Sequence, residues 1–255
     1  MSNQILTEKD LENIITNKKP RETERRVLRI ISQVGAFLAL TAAVFVAMNF
    51  SSIKDNLVFW YDNNFKNAPV DTSQSTIINR DIAENQQPAL PSIPDNSILI
   101  SAINVKTPIT WRVENLQENV KLGLQNGVIH INSTALPGEI GNVFITGHSS
   151  NYTWAKGDYN SIFALLNKLV VGDNVQLKYQ GTDYLYQVSD IKTVKPTEIS
   201  VMKPQGDSRL TLMTCTPVGT SLNRLIVTAK QVYPDSKSNK PSTTASNNNS
   251  LPGVR

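Results

Sequence analysis

The sequence predicts an all-β domain folded as a closed or nearly closed β-barrel with short helical insertions, behind one N-terminal transmembrane helix. Between about residues 96 and 233 the chain consists of short runs rich in Val, Ile, Leu, Tyr and Thr, which Gly, Pro, Asn and Asp interrupt. Closure of the sheet is favoured because it leaves no exposed strand edges. The membrane helix is predicted from an apolar stretch near the N-terminus.

The apolar stretch, residues 30–50, reads IISQVGAFLALTAAVFVAMNF and contains no ionisable side chain. It is about as long as the ~20 residues that a helix needs to cross a bilayer. A buried core helix and a cleaved signal peptide are the alternatives, but the run is longer than a usual signal-peptide core and no small-x-small site closely follows it. The first stretch after it carries only Lys54 and Lys66, whereas six basic residues lie just before it: Lys18, Lys19, Arg21, Arg25, Arg26 and Arg29. This asymmetry predicts a cytoplasmic N-terminus and an extracytoplasmic domain.

Polar segments surround the span and the domain. Residues 1–29 are predicted to be a cytoplasmic segment, and residues 51–95, rich in Asn, Gln, Asp, Ser and Pro, a stalk. Residues 234–255 have a low-complexity polar composition that predicts a disordered tail. The domain itself is assigned to residues 96–233.

Seven runs within the domain have the composition and alternation of strands. A helix is predicted in SIFALLNKLVVGD, where apolar residues share one face, Ser161 can cap the start and Gly172 follows the end. YQGTDY joins two alternating runs and predicts a hairpin. The predicted strands are SILISAI, GVIHIN, GNVFITGH, NVQLKYQ, DYLYQVSDIKTV, RLTLMTC and RLIVTAKQV.

Charge and composition restrict the function. The formal net charge is +4, and the basic residues after the first thirty positions are scattered, so no nucleic-acid-binding surface is predicted. The chain has no acidic cluster dense enough for calcium, and neither a metal nor another cofactor is predicted.

Cys215, the only cysteine, is a candidate nucleophile. It follows the strand-like run RLTLMT and precedes a loop that contains Pro217 and Gly219, and a strand end is a place where a rigid scaffold presents a reactive group. Cysteines are also common as small buried apolar residues, and that reading stays open. An unpaired thiol in an exported domain risks oxidation, which favours a functional role.

A thiolate nucleophile needs a base or a positive field nearby. His148 ends GNVFITGH at a strand-to-loop junction and is the better candidate base, whereas His130 lies inside GVIHIN, where alternation gives it a structural place. Arg224 opens the next strand after Cys215, at the same end of the sheet, and could hold an oxyanion through its fixed donors. The alternative for His148 is a purely structural role, and the alternative for Arg224 is a solvated charge at the start of a strand.

Three separated motifs resemble the sortase family of membrane-anchored cysteine transpeptidases. They are LPGEIGNVFITGHSS, TLMTC and TPVGTSLNR, with the arginine nine positions after the cysteine. The resemblance extends over residues 96–233 through IPDNSILISAINVKTPI, FALLNKLVVGD and the hairpin.

The resemblance implies an eight-stranded sortase barrel and a triad of His148, Cys215 and Arg224. In the family, the cysteine cleaves an LPXTG-like sorting signal between Thr and Gly, and an amine, from a cell-wall precursor or a pilin lysine, resolves the thioester. Thr214, next to the cysteine, would line the substrate groove. The implied partners are proteins with C-terminal LPXTG-like signals, an amine acceptor such as a peptidoglycan precursor, and the membrane.

The sequence also departs from parts of the family. It shows neither an aromatic lid motif ahead of the barrel nor a second span, which favours a non-pilin branch, such as class D or E, with a single-substrate anchoring role. Ser149, Ser150 and Asn151 follow the histidine where many relatives have an arginine, so the sorting motif stays open.

Two other classes remain alternatives. Another extracytoplasmic cysteine enzyme fits less well: a papain-like peptidase usually places Cys before His, and an L,D-transpeptidase keeps a glycine where this chain has Thr214. A non-catalytic envelope-binding module explains the span and stalk but leaves the pairing of Cys215 with Arg224 as coincidence.

Overall fold

A computed structural model describes residues 7–9, 12, 22–65, 89–152, 155–242 and 250–253. Contacts divide the chain into two units, Met1–Ala47 and Met48–Arg255. The predicted domain boundaries remain predictions. Most of the predicted cytoplasmic segment and residues 66–88 of the predicted stalk lie outside the described residues.

Helix α1, Glu22–Met48, contains most of the predicted span. It is the one helix in the described part of the chain that is long and apolar enough to cross a membrane, by length and composition. Large apolar side chains such as Phe37 and Leu40 are exposed along it. From Ile30 onward the helix has no charged residue, and an exposed, mainly apolar surface of this kind suits contact with lipid.

Helix α2, Phe50–Phe65, lies where the sequence predicts the start of a polar stalk. The segment is helical and packs on the domain, whereas the sequence predicts an unpacked stalk. Ser52 is 1 % exposed, and its hydroxyl donates to the carbonyl of Ser149 at 2.8 Å. Ser161 donates to Asp55 at 2.8 Å and lies 2.9 Å from the hydroxyl of Ser51. The composition suggests a stalk, but these long-range contacts order the first part of it.

Eight strands form a closed barrel, as predicted. Around the barrel they follow the order β3-β2-β1-β5-β6-β8-β7-β4, and β3 pairs with β4 to close it. Most neighbours are antiparallel, but β4 runs parallel to β7, and β2 runs parallel to β3. The strands are β1 Ser97–Ile100, β2 Val105–Val113, β3 Val128–Ile131, β4 Glu139–Thr146, β5 Asn174–Tyr179, β6 Thr182–Val194, β7 Ser208–Thr216 and β8 Asn223–Tyr233.

The buried apolar side chains form two clusters, one inside the barrel and one on the outer face of its wall. The two are separate because successive side chains along a strand point to opposite faces of the sheet. On β7, Leu210 and Leu212 join the cluster inside the barrel, whereas Met213 and Cys215 join a second one. We call this second group the outer cluster. Its members are Val113, Val120, Leu124, Ile129, Ile131, Phe144, Met202, Met213, Cys215, Ile226 and Leu251.

The structure contains elements that the sequence does not predict. Besides β2, they include helix α3, Gln117–Gly123, which contributes Val120 to the outer cluster, and the short strand β9, Lys240–Pro241, which pairs with β4. The predicted helix in SIFALLNKLVVGD is wrong: the structure has turns and a 3-10 helix, Leu166–Lys168. Phe163 and Leu166 are buried inside the barrel. The apolar residues of this segment therefore reach the core from turns and a 3-10 helix, without forming an α-helix.

The disorder predicted for residues 234–255 remains a prediction. Among the described residues of this tail, a 3-10 helix, Ser236–Ser238, is followed by β9. Further along, Leu251 is 6 % exposed.

Candidate functional site

Cys215 lies one residue before the end of β7, on the outer face of the barrel wall. It is 3 % exposed and packs in the outer cluster. In the antiparallel ladder of β7 and β8 it is the direct partner of Arg224. Directly opposed residues place their side chains on the same face with Cβ atoms ~5 Å apart, so the sulfur and the guanidinium group start from neighbouring positions.

Arg224 is 7 % exposed, and only part of its guanidinium group is satisfied. Its Nη1 donates to the carbonyls of Ser221 and Asn223 at 3.1 and 3.2 Å. Its buried Nε has no hydrogen-bond partner within the described part of the chain. A buried N–H group without an acceptor is costly, and it is suited to binding an oxygen that arrives with a ligand.

His148 follows β4, which runs parallel to β7. Thr146 is paired with Met213, so His148 and Cys215 each lie two residues beyond the same pair. The segment after β4 stays hydrogen-bonded to β7 past this pair, because the backbone N–H of Gly147 donates to the carbonyl of Met213 at 3.2 Å. The parallel register therefore carries His148, which is 5 % exposed, to the end of β7 that presents Cys215.

A second contact joins the loop after His148 to the loop between Cys215 and Arg224. The backbone N–H of Gly219 donates to Ser150 Oγ at 2.9 Å, and Ser150 is buried. The predicted histidine, cysteine and arginine are thus carried by three adjoining segments at one rim of the barrel. Their catalytic roles remain a prediction.

The imidazole of His148 has polar neighbours. Asn151 Nδ2 lies 3.4 Å from His148 Nε2 and donates to Asn160 Oδ1 at 3.1 Å. Phe163 N donates to the carbonyl of His148 at 2.8 Å, and this bond fixes the backbone of the loop. No role is predicted from the sequence for Asn151 or Ser150, although the polar run SSN directly after a strand end is a signal that points to them.

Thr214 has a different environment from the one expected. It pairs with Leu225 of the interior cluster, so its side chain lies on the opposite face of β7 from Cys215. Its hydroxyl donates to the carbonyl of Gly147 at 2.8 Å. This contact holds β7 against the segment that leads to His148. The substrate-binding role remains a prediction that this contact does not support.

His130 has the structural position that alternation predicts. Its Nε2 lies 2.8 Å from the carbonyl of Ala135, and its Nδ1 accepts the backbone N–H of Arg112 at 3.3 Å. These partners fit a neutral ring with its proton on Nε2. Burial lowers the pKa of His130 from 6.5 to about 4; the bond to Ala135 raises it in part, and the charge of Arg112 lowers it again. The ring is held neutral within the fold, as a structural group.

The fold is a closed β-barrel that carries a cysteine, a histidine and an arginine at one rim, and comparison with known proteins identifies the family. A model of the sortase domain matches residues 98–232. The chain therefore belongs to the sortase family.

Two curated relatives share about a third of the matched residues. The chain is 33% identical over 109 residues to sortase SrtE1 of Streptomyces coelicolor, a match that covers 39% of this chain and 29% of the relative. It is 33% identical over 75 residues to sortase A of Listeria monocytogenes, covering 29% of this chain and 31% of the relative. The chain thus spans less than a third of the length of either relative.

Solved sortase structures are also similar. A sortase D5 transpeptidase of Clostridium perfringens matches with a TM-score of 0.44 and 29% identity, covering 53% of this chain and 77% of that one. Sortase C1 of Streptococcus agalactiae matches with a TM-score of 0.46 and 28% identity, covering 56% and 70%.

Proposed function

We propose that the protein is a membrane-anchored sortase that cleaves an LPXTG-like sorting signal between Thr and Gly and transfers the cleaved protein to an amine. The observation that carries the proposal is the cross-strand pairing of Cys215 with Arg224, beside the segment that holds His148. A passive binding module needs no such grouping of a thiol, an imidazole and a guanidinium group.

In the first step, the thiolate of Cys215 attacks the carbonyl carbon of the substrate Thr. A C–S bond forms, and the carbonyl oxygen takes the negative charge of a tetrahedral intermediate. The C–N bond to Gly then breaks, and the imidazolium of His148 gives its proton to the departing amine. The product is a thioester on Cys215 and a released C-terminal peptide.

In the second step, an amine resolves the thioester. His148, now neutral, takes a proton from the incoming amine as its nitrogen attacks the thioester carbon. A new amide bond forms, and Cys215 leaves as the thiolate. The two half-reactions return both side chains to their starting protonation states, so no cofactor is required.

Arg224 is proposed to bind the oxygen that becomes charged. Its Nε is buried and has no acceptor among the described residues, and Nη1 is already fixed by two backbone carbonyls. The guanidinium group therefore needs little rearrangement to donate to a substrate oxygen. Donors fixed in this way, in a site shielded from water, stabilise a developing oxyanion more than mobile donors do.

The proposed setting is the outer surface of a membrane. The apolar part of α1 would be a single-pass anchor with the N-terminus in the cytoplasm and the barrel outside. The proposed substrates are proteins with C-terminal LPXTG-like signals, and the proposed acceptor is an amine such as a peptidoglycan precursor. Assignment to a non-pilin branch with an anchoring role remains part of this proposal.

The test incubates the full chain with LPXTG and LAXTG peptides and several amine acceptors, and identifies products and protein adducts by mass spectrometry. We expect a single acyl adduct on Cys215 and an amide product. Cys215→Ala removes one sulfur atom, should keep the fold and should abolish both signals. His148→Ala should slow both steps by about 10²–10⁴-fold, the usual contribution of a general acid-base group.

Retention of normal transfer by Cys215→Ala would exclude the covalent mechanism. Absence of any adduct with every peptide and with a peptide vinyl sulfone would favour the binding module. Cys215→Ser is a matched control, because it keeps a nucleophilic atom at the same position but should be nearly inactive.

A further inference from the structure

Helix α2 presents large apolar side chains to its surroundings. Phe50, Leu57 and Tyr61 are spaced so that they lie on one side of a helix, and each is more than half exposed. Two further exposed residues lie beside them. We call the five side chains the apolar face of α2: Phe50, Leu57, Val58, Trp60 and Tyr61. A contiguous exposed apolar surface of this kind marks a contact with a partner or with lipid.

The opposite side of α2 is polar and packs on the domain. Ser52 is buried and donates to the carbonyl of Ser149, and Asp55 accepts a hydrogen bond from Ser161 at 2.8 Å. A surface helix of a globular domain ordinarily turns its apolar side to the core and its polar side to water. In α2 the arrangement is reversed, so the apolar face has another medium or molecule as its neighbour.

The position of α2 in the chain indicates which medium this is. The predicted span, residues 30–50, ends on the first residue of α2, and only Asn49 separates α2 from α1. As a helix, residues 30–50 are ~30 Å long, which is about the thickness of the hydrocarbon core of a bilayer. Helix α2 therefore begins at the depth where the chain leaves the bilayer.

The composition of the apolar face suits this depth. Trp60 and Tyr61 are residue types enriched at membrane–water interfaces, where an apolar ring and a polar group each find their preferred medium. Lys54 is exposed on the same side of the helix. A lysine there lays its aliphatic stem along the apolar surface and keeps its ammonium group among the lipid headgroups.

We propose that α2 lies in the headgroup region of the bilayer, parallel to the membrane surface, with its apolar face in contact with lipid. The proposal rests on the membrane anchoring that is part of the proposed function, and not on the sortase chemistry. Ser149, which α2 binds through Ser52, directly follows His148. The helix therefore holds the rim that carries His148 close to the membrane surface.

The first experiment measures the contact with lipid and needs no turnover. Single cysteines are introduced into the full chain in a Cys215→Ala background, labelled with a fluorophore and reconstituted in nanodiscs that contain a doxyl-labelled lipid. Leu57→Cys should be quenched severalfold more strongly than Leu122→Cys. Leu122 is the matched control, because it is an equally exposed leucine on helix α3. Equal quenching at the two positions would overturn the proposal, since α2 would then be no closer to lipid than α3 is.

The second experiment measures the orientation of the helix. Labels at Phe50→Cys and Tyr61→Cys should lie at the same depth when lipids with shallow and deep doxyl groups are compared. A helix standing along the membrane normal would instead separate the two positions by ~16 Å, at 1.5 Å per residue. A difference of that size would overturn the proposal.

A charge on the apolar face supplies an independent variant. Leu57→Glu places a carboxylate against lipid, so it should lower the quenching of a label at Tyr61→Cys severalfold. Leu122→Glu carries the same change on α3 and should leave that quenching unchanged. Both leucines are exposed, so neither change removes a buried side chain from the core. Unchanged quenching in Leu57→Glu would contradict a lipid contact of the apolar face.

The remaining outcomes separate this proposal from its alternatives and from the proposed function. A label at Leu57→Cys that is shielded from iodide but not quenched by lipid would show that protein, such as a second copy of the chain, covers the apolar face, and would overturn the proposal. A label at Leu40→Cys in α1 that is not quenched would overturn the membrane anchoring and this proposal with it. The expected quenching in a wild-type chain that transfers no peptide would contradict the sortase function and support the position of α2.

Discussion

The two histidines lie in different environments. His148 lies in a loop at the rim of the barrel, next to the amide of Asn151. His130 is fully buried in β3 between a backbone donor and a backbone acceptor. Protonation of His130 at Nδ1 would place a second N–H against the N–H of Arg112, so the fold favours the neutral ring.

His130 should make the domain less stable in weak acid. Its pKa is about 4 in the folded state and 6.5 in the unfolded chain. Between these values the unfolded state binds a proton that the folded state does not, so stability falls as pH falls from 6.5 towards 4. The loss from this one group is at most about 3 kcal/mol.

The measurement is the unfolding midpoint in denaturant at several pH values from 7.5 to 4. Carboxylates contribute to the pH dependence of both proteins, so the comparison is the difference between the wild type and His130→Gln. We expect the variant to lose less stability over the interval from pH 6.5 to 4. Equal losses in the two proteins would show that His130 is protonated in the folded state.

At the scale of elements, the local patterns predict strands better than they predict connections. Seven predicted strands are present, because alternation and turn residues are local signals. Strand β2 was not predicted, although its buried and exposed residues alternate, because Pro108 interrupts a run that also contains Lys106 and Arg112. Its pairing with β1 tolerates the proline.

The candidate site is also only partly predictable from local sequence patterns. Cys215 and Arg224 flank one loop between adjacent strands, so their proximity can be predicted from the sequence. The approach of His148 depends on the parallel pairing of β4 with β7, which connects residues far apart in the chain. The burial of Leu251 in a polar tail is likewise indicated by no local periodicity.

Helix α2 provides a test of how strongly a neighbouring element holds the loop that carries His148. The hydroxyl of Ser52 is buried and donates to the carbonyl of Ser149. Ser52→Ala removes the donor and leaves the carbonyl buried, which should cost about 1–3 kcal/mol. For a domain of this size that loss corresponds to a decrease in Tm of ~2–4 °C per kcal/mol.

The measurement is thermal unfolding of the full chain, together with the rate of the proposed transfer reaction. Lys54→Ala is the control, because Lys54 is exposed on the same helix. We expect the control to keep the wild-type Tm. A Ser52→Ala protein with an unchanged Tm would mean that α2 does not stabilise the loop after His148.

At the scale of the whole molecule, the closed barrel makes a single rim out of distant segments. The ladder closes through two residue pairs of β3 and β4, Ile129 with Thr146 and His130 with Ile145. This closure places the end of β4 between β3 and β7. The segment with His148 is therefore fixed by pairing on both sides of β4, and this pairing brings it to the rim that carries Cys215.

The orientation of the chain in a membrane, with the N-terminus in the cytoplasm and the barrel outside, can be tested by chemical labelling. Six basic residues lie within residues 18–29, just before the apolar part of α1, and only Lys54 and Lys66 lie within the twenty residues after it, so the positive-inside bias should keep the N-terminus in the cytoplasm and place the barrel outside. Single cysteines introduced in a Cys215→Ala background report each side: Glu8→Cys before the helix and Lys237→Cys in the barrel unit, both at exposed positions. In intact bacteria, a membrane-impermeant maleimide should label Lys237→Cys and not Glu8→Cys, and permeabilised cells should label both. Labelling of Glu8→Cys alone in intact cells would reverse the orientation and leave the barrel in the cytoplasm, where a cell-wall amine could not reach Cys215.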